Sequence, residues 1–252
     1  MVLFSTKKRS SLTKSNNKGD EQPMDLRQIF LKIFDKKAFQ KARVSEYGAG
    51  HPFFNLFNTE IPKSLQTIVN AFQSKPTGVA QALYRNSNAY SFVGSIGKGK
   101  LADIFWFCIL DRKITDDPQK GVYIVYLVSH NGESIYLSLI QAINGAIGTE
   151  PECEEAIRKL KAARGGLIEK IENRLSLAPE NYAEGFTKDA IDLSISNEKT
   201  FFTAKAYQEA ALYSKKYSCD CVPSEEELRK DLWKMIKIYG NYRASLTNVT
   251  QQ

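Results

Sequence analysis

Leu26, Ile29, Phe30, Ile33 and Phe34 recur at the three-and-four spacing of one helix face. Asp25 stands just before them and can accept the first free backbone N–H groups. The spacing therefore predicts a first helix starting at Asp25. A glycine-containing loop, residues 47–50, follows. Pro62 suits the first turn of the next helix, whose inner face carries Leu65, Ile68, Val69 and Phe72. From Ala89 the texture turns aromatic and β-branched. Strands are expected at residues 89–95, 104–110, 121–128 and 134–139, with Asn131-Gly132 as a hairpin signal between the last two. A long helix should then open at a capping box, Thr149 to Glu152, with Leu160, Leu167, Ile171 and Leu175 as its seam. Gly165-Gly166 should weaken or kink it. Residues 178–205 show no clear period. The last helix is capped by Ser224 and Glu227 and carries Leu228, Leu232, Met235 and Tyr239 on one stripe. The expected fold class is α/β of the α+β type. A central, mostly antiparallel sheet (about residues 89–141) is flanked by helices in a single domain.

Charge changes this picture little at first. There are 35 Lys and Arg against 28 Asp and Glu, a formal +7. Five basic and two acidic residues among the first 22 supply +3 of it, leaving +4 for the rest. Residues 1–22 are Ser-, Lys- and Asn-rich and read as a disordered basic arm. The domain is expected over 23–245, with a tail at 246–252. No stretch approaches the 18 apolar residues of a membrane span, and the start is too short for a signal sequence. A reducing cytoplasm is the default location. Cys108 lies in the apolar run 104–110 and reads as a small core residue. Cys219-Asp-Cys221 has no second pair and His51 and His130 are the only imidazoles, so no zinc array is expected.

Gly94 to Lys100 matches the G-x-x-x-x-G-K half of a phosphate loop. Leu101 stands where a hydroxyl should hold Mg²⁺, and a strand follows where a helix N-terminus is needed. The segment reads instead as a tight, basic loop between strands. Catalytic constellations are scarce. Asp116-Asp117-Pro118 reads as a turn, and Asp111 and Glu133 are the acids a nuclease could draft. No cofactor is expected. The aromatics are richer: Phe105 and Phe107 should face opposite to Trp106, and one set belongs to the core.

Three stretches then stand together: the glycine loop and Trp-bearing strand at 94–107, Asp111 to Leu127 with its Lys-Gly-strand pattern, and Ile135 to Leu139. They resemble the N-terminal DNA-binding domain of McrB-type, methyl-directed restriction proteins. The closing run Val222 to Tyr239 is also similar, and the resemblance covers roughly residues 24–245. It implies a non-enzymatic module that binds double-stranded DNA carrying modified cytosine and flips that base into a pocket. By this resemblance the base pocket falls on Trp106, Leu127, Tyr207 and the loop residue Lys98. Lys98 departs from members that place an aromatic between two glycines. Lys98, Lys100, Arg112, Lys113 and Lys120 flank the strands and are the expected DNA-backbone contacts, grouped around the Trp-bearing strand.

The resemblance also implies partners: a separate GTPase motor and a nuclease, which 252 residues leave no room for. A stand-alone module, a fragment of a split system and a truncated relic are all consistent with that length. Two other functions stay open: an interaction adaptor that keeps the fold without the pocket, and a nuclease using acids near the sheet.

Overall fold

The computed structural model describes residues 22–74, 89–144, 150–195 and 198–247. The N-terminal arm (residues 1–21), the Thr149 cap and residues 248–252 lie outside them. Asp25 opens α1 (Leu26–Phe34) as the sequence requires. Its carboxylate accepts the Gln28 N–H at 2.7 Å, and Gln28 Oε1 accepts the Asp25 N–H at 3.0 Å. Leu26, Ile29, Phe30 and Ile33 are buried. Asp35 then leaves helical backbone and caps a second helix, α2 (Lys36–Val44), by accepting the Ala38 N–H at 2.8 Å. The apolar pattern misses α2 because only Phe39 and Ala42 are buried on it. One π-helical turn, Leu56–Glu60, leads into α3 (Ile61–Ser74), where Leu65, Ile68 and Val69 are buried.

Five strands follow: β1 (Tyr90–Gly97), β2 (Leu101–Asp111), β3 (Val122–Val128), β4 (Ser134–Gln141) and β5 (Ala211–Ser218). They form one sheet in the order β1-β2-β3-β4-β5, and every neighbouring pair is antiparallel. Two helices, α4 (Glu150–Leu175) and α5 (Glu198–Ala210), separate β4 from β5. α4 runs unbroken through Gly165-Gly166. Its seam is buried at Leu160 and Ile171 and half-buried at Leu167 and Leu175. The last helix, α6 (Glu225–Thr247), has the Ser224–Glu227 capping box: Ser224 Oγ accepts the Glu227 N–H at 3.2 Å, and Glu227 Oε2 accepts the Ser224 N–H at 2.9 Å. The expected α+β domain is what the chain forms. Among the described residues no helix is long and apolar enough to cross a membrane.

The two faces of the sheet are unlike. Phe105, Phe107, Tyr126 and Tyr217 share the face under α1, the π turn and α6. Phe107 stacks on Tyr126 with ring centroids 4.6 Å apart. Phe30 of α1 meets the edges of Tyr126 and Tyr217 at 5.9 and 5.3 Å. Phe57 of the π turn meets Phe105 at 5.7 Å and Phe107 at 6.0 Å. Gly94 permits this approach: a Cβ there would lie 2.0 Å from the Phe57 carbonyl oxygen. Tyr217 also donates to Asp231 of α6 at 3.0 Å. Edge strand β5 is covered in turn: Thr187 and Ser214 exchange backbone hydrogen bonds at 2.8 Å, and Arg164 Nε donates to the Ala211 carbonyl at 2.7 Å. Such cover prevents pairing with another chain.

Candidate functional site

The opposite face carries the candidate site. Strand register lines up Ser95, Trp106, Leu127, Tyr136 and Lys216 as successive cross-strand partners. Directly opposed residues point to the same side, so these five form one row across the sheet. Leu127 and Tyr136 are buried, Trp106 is half-buried and Lys216 is exposed. Trp106 is the one half-buried residue between Ile104 and Asp111. On the β1 side of this face Val93 is exposed. The β4 side is walled by residues 189–195. There the Asp192 N–H donates to the Tyr136 hydroxyl at 3.3 Å, and the Leu193 carbonyl accepts the His130 N–H at 2.9 Å. In that wall Ser194 has φ 54°, the one positive φ at a non-glycine among the described residues. A left-handed serine carries backbone strain.

Tyr207 comes from α5 and is buried. Burial raises its pKa, and the neighbouring Cys108 adds to the rise. Cys108 stands two residues along β2 from Trp106 and so on the same face. Burial pushes the Cys108 thiol up to about 12, moderated by a hydrogen bond with the Val93 backbone. Trp106 and Leu127 are thus direct partners on one face, and Tyr207, 101 positions from Trp106 in the chain, lies near enough to feel Cys108 of that face.

Lys98 and Lys100 lie exposed in the β1–β2 turn. Gly97 (φ 135°) and Gly99 (φ 72°) let the chain reverse there, and Ser95 Oγ accepts the Gly97 N–H at 3.0 Å. The phosphate-loop lookalike is therefore a hairpin turn. β2 pairs with β3 only from Phe105 onward, and a bulge between Ser95 and Gly97 leaves Leu101, opposite Gly97, as the one residue of 101–104 in register with β1; this bulged β1–β2 end, beyond the end of β3, is the arm. Arg112, Lys113 and Lys120 fall in the loop after Asp111, at the other end of β2. At 3.3 Å per residue the two basic groups stand roughly 30 Å apart. The single cluster expected around the Trp-bearing strand is therefore two groups, because a straight strand separates the loops at its ends.

The drafted acids are separated in the same way. Asp111 ends β2 and is buried, whereas Glu133 is exposed in the β3–β4 turn at the opposite end. Asp111 Oδ2 receives Arg243 Nη1 at 2.7 Å, and its Oδ1 accepts the Lys113 N–H at 2.9 Å. His51 is buried and structural: Nε2 donates to the Ala42 carbonyl at 2.8 Å and Nδ1 accepts the Phe53 N–H at 3.0 Å. Among the described residues no group of three or more His, Cys, Asp and Glu is placed to hold a metal ion. Two clefts lie elsewhere. One of about 570 Å³ runs between the end of α4 and Tyr213, and one of about 430 Å³ lies between α1 and Pro52.

Sequence reasoning missed Tyr136 and Lys216, which join the row only through β4 and β5. It also missed Arg43, which lies on the unforeseen α2.

The domain thus carries a half-buried Trp106 on one face of the sheet and exposed Lys98 and Lys100 in the β1–β2 turn. The family described as MrcB-like, N-terminal domain matches residues 36–244, and the chain belongs to it. That membership supports a DNA-binding module of restriction systems. Comparison with curated proteins and with solved structures found no match.

Proposed function

We propose that this chain reads double-stranded DNA by accepting an extruded base, in the first instance a modified cytosine, on the Trp106 face. The observation that carries the reading is the direct pairing of Trp106 with Leu127, on the face that leaves Trp106 half-buried while the other residues from Ile104 to Asp111 are buried. The indole offers a planar stacking surface, Leu127 a dry apolar contact, and Tyr207 a buried hydroxyl. Extrusion costs a few kcal/mol, and stacking returns ~1–3 kcal/mol per base. Lys98 and Lys100 supply phosphate contacts from the arm, and Lys98 fills space at the emptied position without stacking. Cleavage belongs to partners, a GTPase motor and a nuclease, and the module itself performs no chemistry.

Fluorescence titration of matched duplexes with unmodified and 5-methylated cytosine tests this. Tighter binding of the modified duplex, lost in Trp106→Ala, is the expected result. Equal affinity for both would remove modification reading, and no binding to either at low salt would remove DNA recognition.

A further inference from the structure

We propose that Arg43 is the positioning residue of the β1–β2 arm, latching it to α2 and to the β3–β4 turn. A bulged two-stranded end is marginal without a third neighbour, and residues 101–104 have none in β3 and, past Leu101, no register partner in β1. Arg43, in the last turn of α2, takes that place. Its Nη1 donates to the carbonyl oxygens of Ala102 at 2.8 Å and Asp103 at 3.2 Å. Its Nη2 donates to His130 Nδ1 at 3.0 Å and lies 3.9 Å from the Asp103 carboxylate. The guanidinium carbon stands 5.1 Å from the Phe105 ring centroid, within cation–π range.

The chemistry of the contact fixes its sense. A guanidinium can only donate, so His130 Nδ1 receives; the nearby Asp103 carbonyl takes its hydrogen from Arg43 as well. The planar fork reaches its three acceptors from two nitrogens held in one plane, a spread that the single nitrogen of an ammonium lacks. With 18% of its side chain exposed, Arg43 spends its charge inside the protein. Burial lowers its pKa, partly offset by Asp103. His130 in turn hangs its backbone N–H on Leu193, in the wall of the Trp106 face. One guanidinium therefore links the arm, through His130, to that wall.

The inference rests on reading the arm as a DNA-contacting element, but its first test needs no DNA. In Arg43→Ala, amide exchange of residues 98–104 should quicken while that of 107–110 stays as in the wild type. Arg43→Lys should restore part of the protection, and it carries the test if the alanine variant fails to fold. Unchanged exchange in the arm would overturn the latch. On DNA, a fall in the competent population to a tenth weakens binding about tenfold, with the salt slope unchanged. A slope reduced by about one would mean a direct phosphate contact instead and would also overturn it. If the wild type binds no duplex, the DNA reading falls, while the exchange result still judges the latch.

Discussion

Arg243 Nη1 lies 2.7 Å from Asp111 Oδ2, joining residues 132 positions apart. Both are buried, with side chains 7% and 1% exposed. The pair ties the end of the Trp-bearing strand to α6. Tyr239, one turn earlier on α6, seconds it: its hydroxyl accepts the Asp111 N–H at 3.1 Å and donates to the Val122 carbonyl at 2.8 Å. Removing one partner of such a pair leaves a buried charge uncompensated. Arg243→Met should cost about 3–5 kcal/mol of stability, measured by urea unfolding. A loss below about 1 kcal/mol would show that water reaches Asp111.

The glycines of the chain should respond in opposite directions. At Gly94 an added Cβ meets the Phe57 carbonyl at 2.0 Å, and backbone cannot yield there. Gly94→Ala should destabilise by about 3 kcal/mol, at the top of the range for overpacked sites. At Gly165, exposed within α4, nothing lies within 4 Å. Gly165→Ala should stabilise by about 1 kcal/mol through helix propensity alone. Thermal melts of both variants check the contrast.

The two basic loops should separate in a salt titration of DNA binding. Lys98→Ala and Lys100→Ala should each lower the salt slope by about one. Arg112→Ala, Lys113→Ala and Lys120→Ala should leave it unchanged, because their loop lies at the far end of β2 from the arm. Equal effects from both loops would place the duplex along the whole strand.

Alkali should weaken the fold before it alters the surface. Burial pushes the Cys108 thiol from 9.0 and the Tyr213 hydroxyl from 10.0 up to about 12. Both are neutral in the folded protein when the unfolded chain has already lost the protons. The folded state then binds more protons, so stability falls as pH rises. The loss begins near pH 9, and each group adds up to about 1.4 kcal/mol per pH unit until about pH 12. Denaturant midpoints measured between pH 8 and 11 should show that decline. A flat profile would mean that neither group is buried as described.

Local chemistry made several elements legible. Asp25 with Gln28 and Ser224 with Glu227 satisfy orphan helix N–H groups within three residues, so their caps can be read directly from the chain. The first four strands were legible because branched and aromatic residues crowd the positions buried on both sides; β5 and α5 were not foreseen, because β5 carries Lys215 and Lys216 at its centre and α5 shows no clear apolar period. Helix α2 was not, since a short helix with two buried residues has no period to detect. The proposed pocket residues could be assembled only by resemblance, because they come from β2, β3 and α5.

The sequence by itself determined the four-strand meander, the starts of α1, α3 and α6, and the opposite facing of Trp106 and its phenylalanine neighbours, because each follows from spacing within a few residues. Tertiary structure decided which face stays open, which basic loop shares an end with the arm, and what steadies that arm. Those depend on strand register and on partners such as Arg43 and His130, 87 positions apart, whose meeting no local pattern encodes.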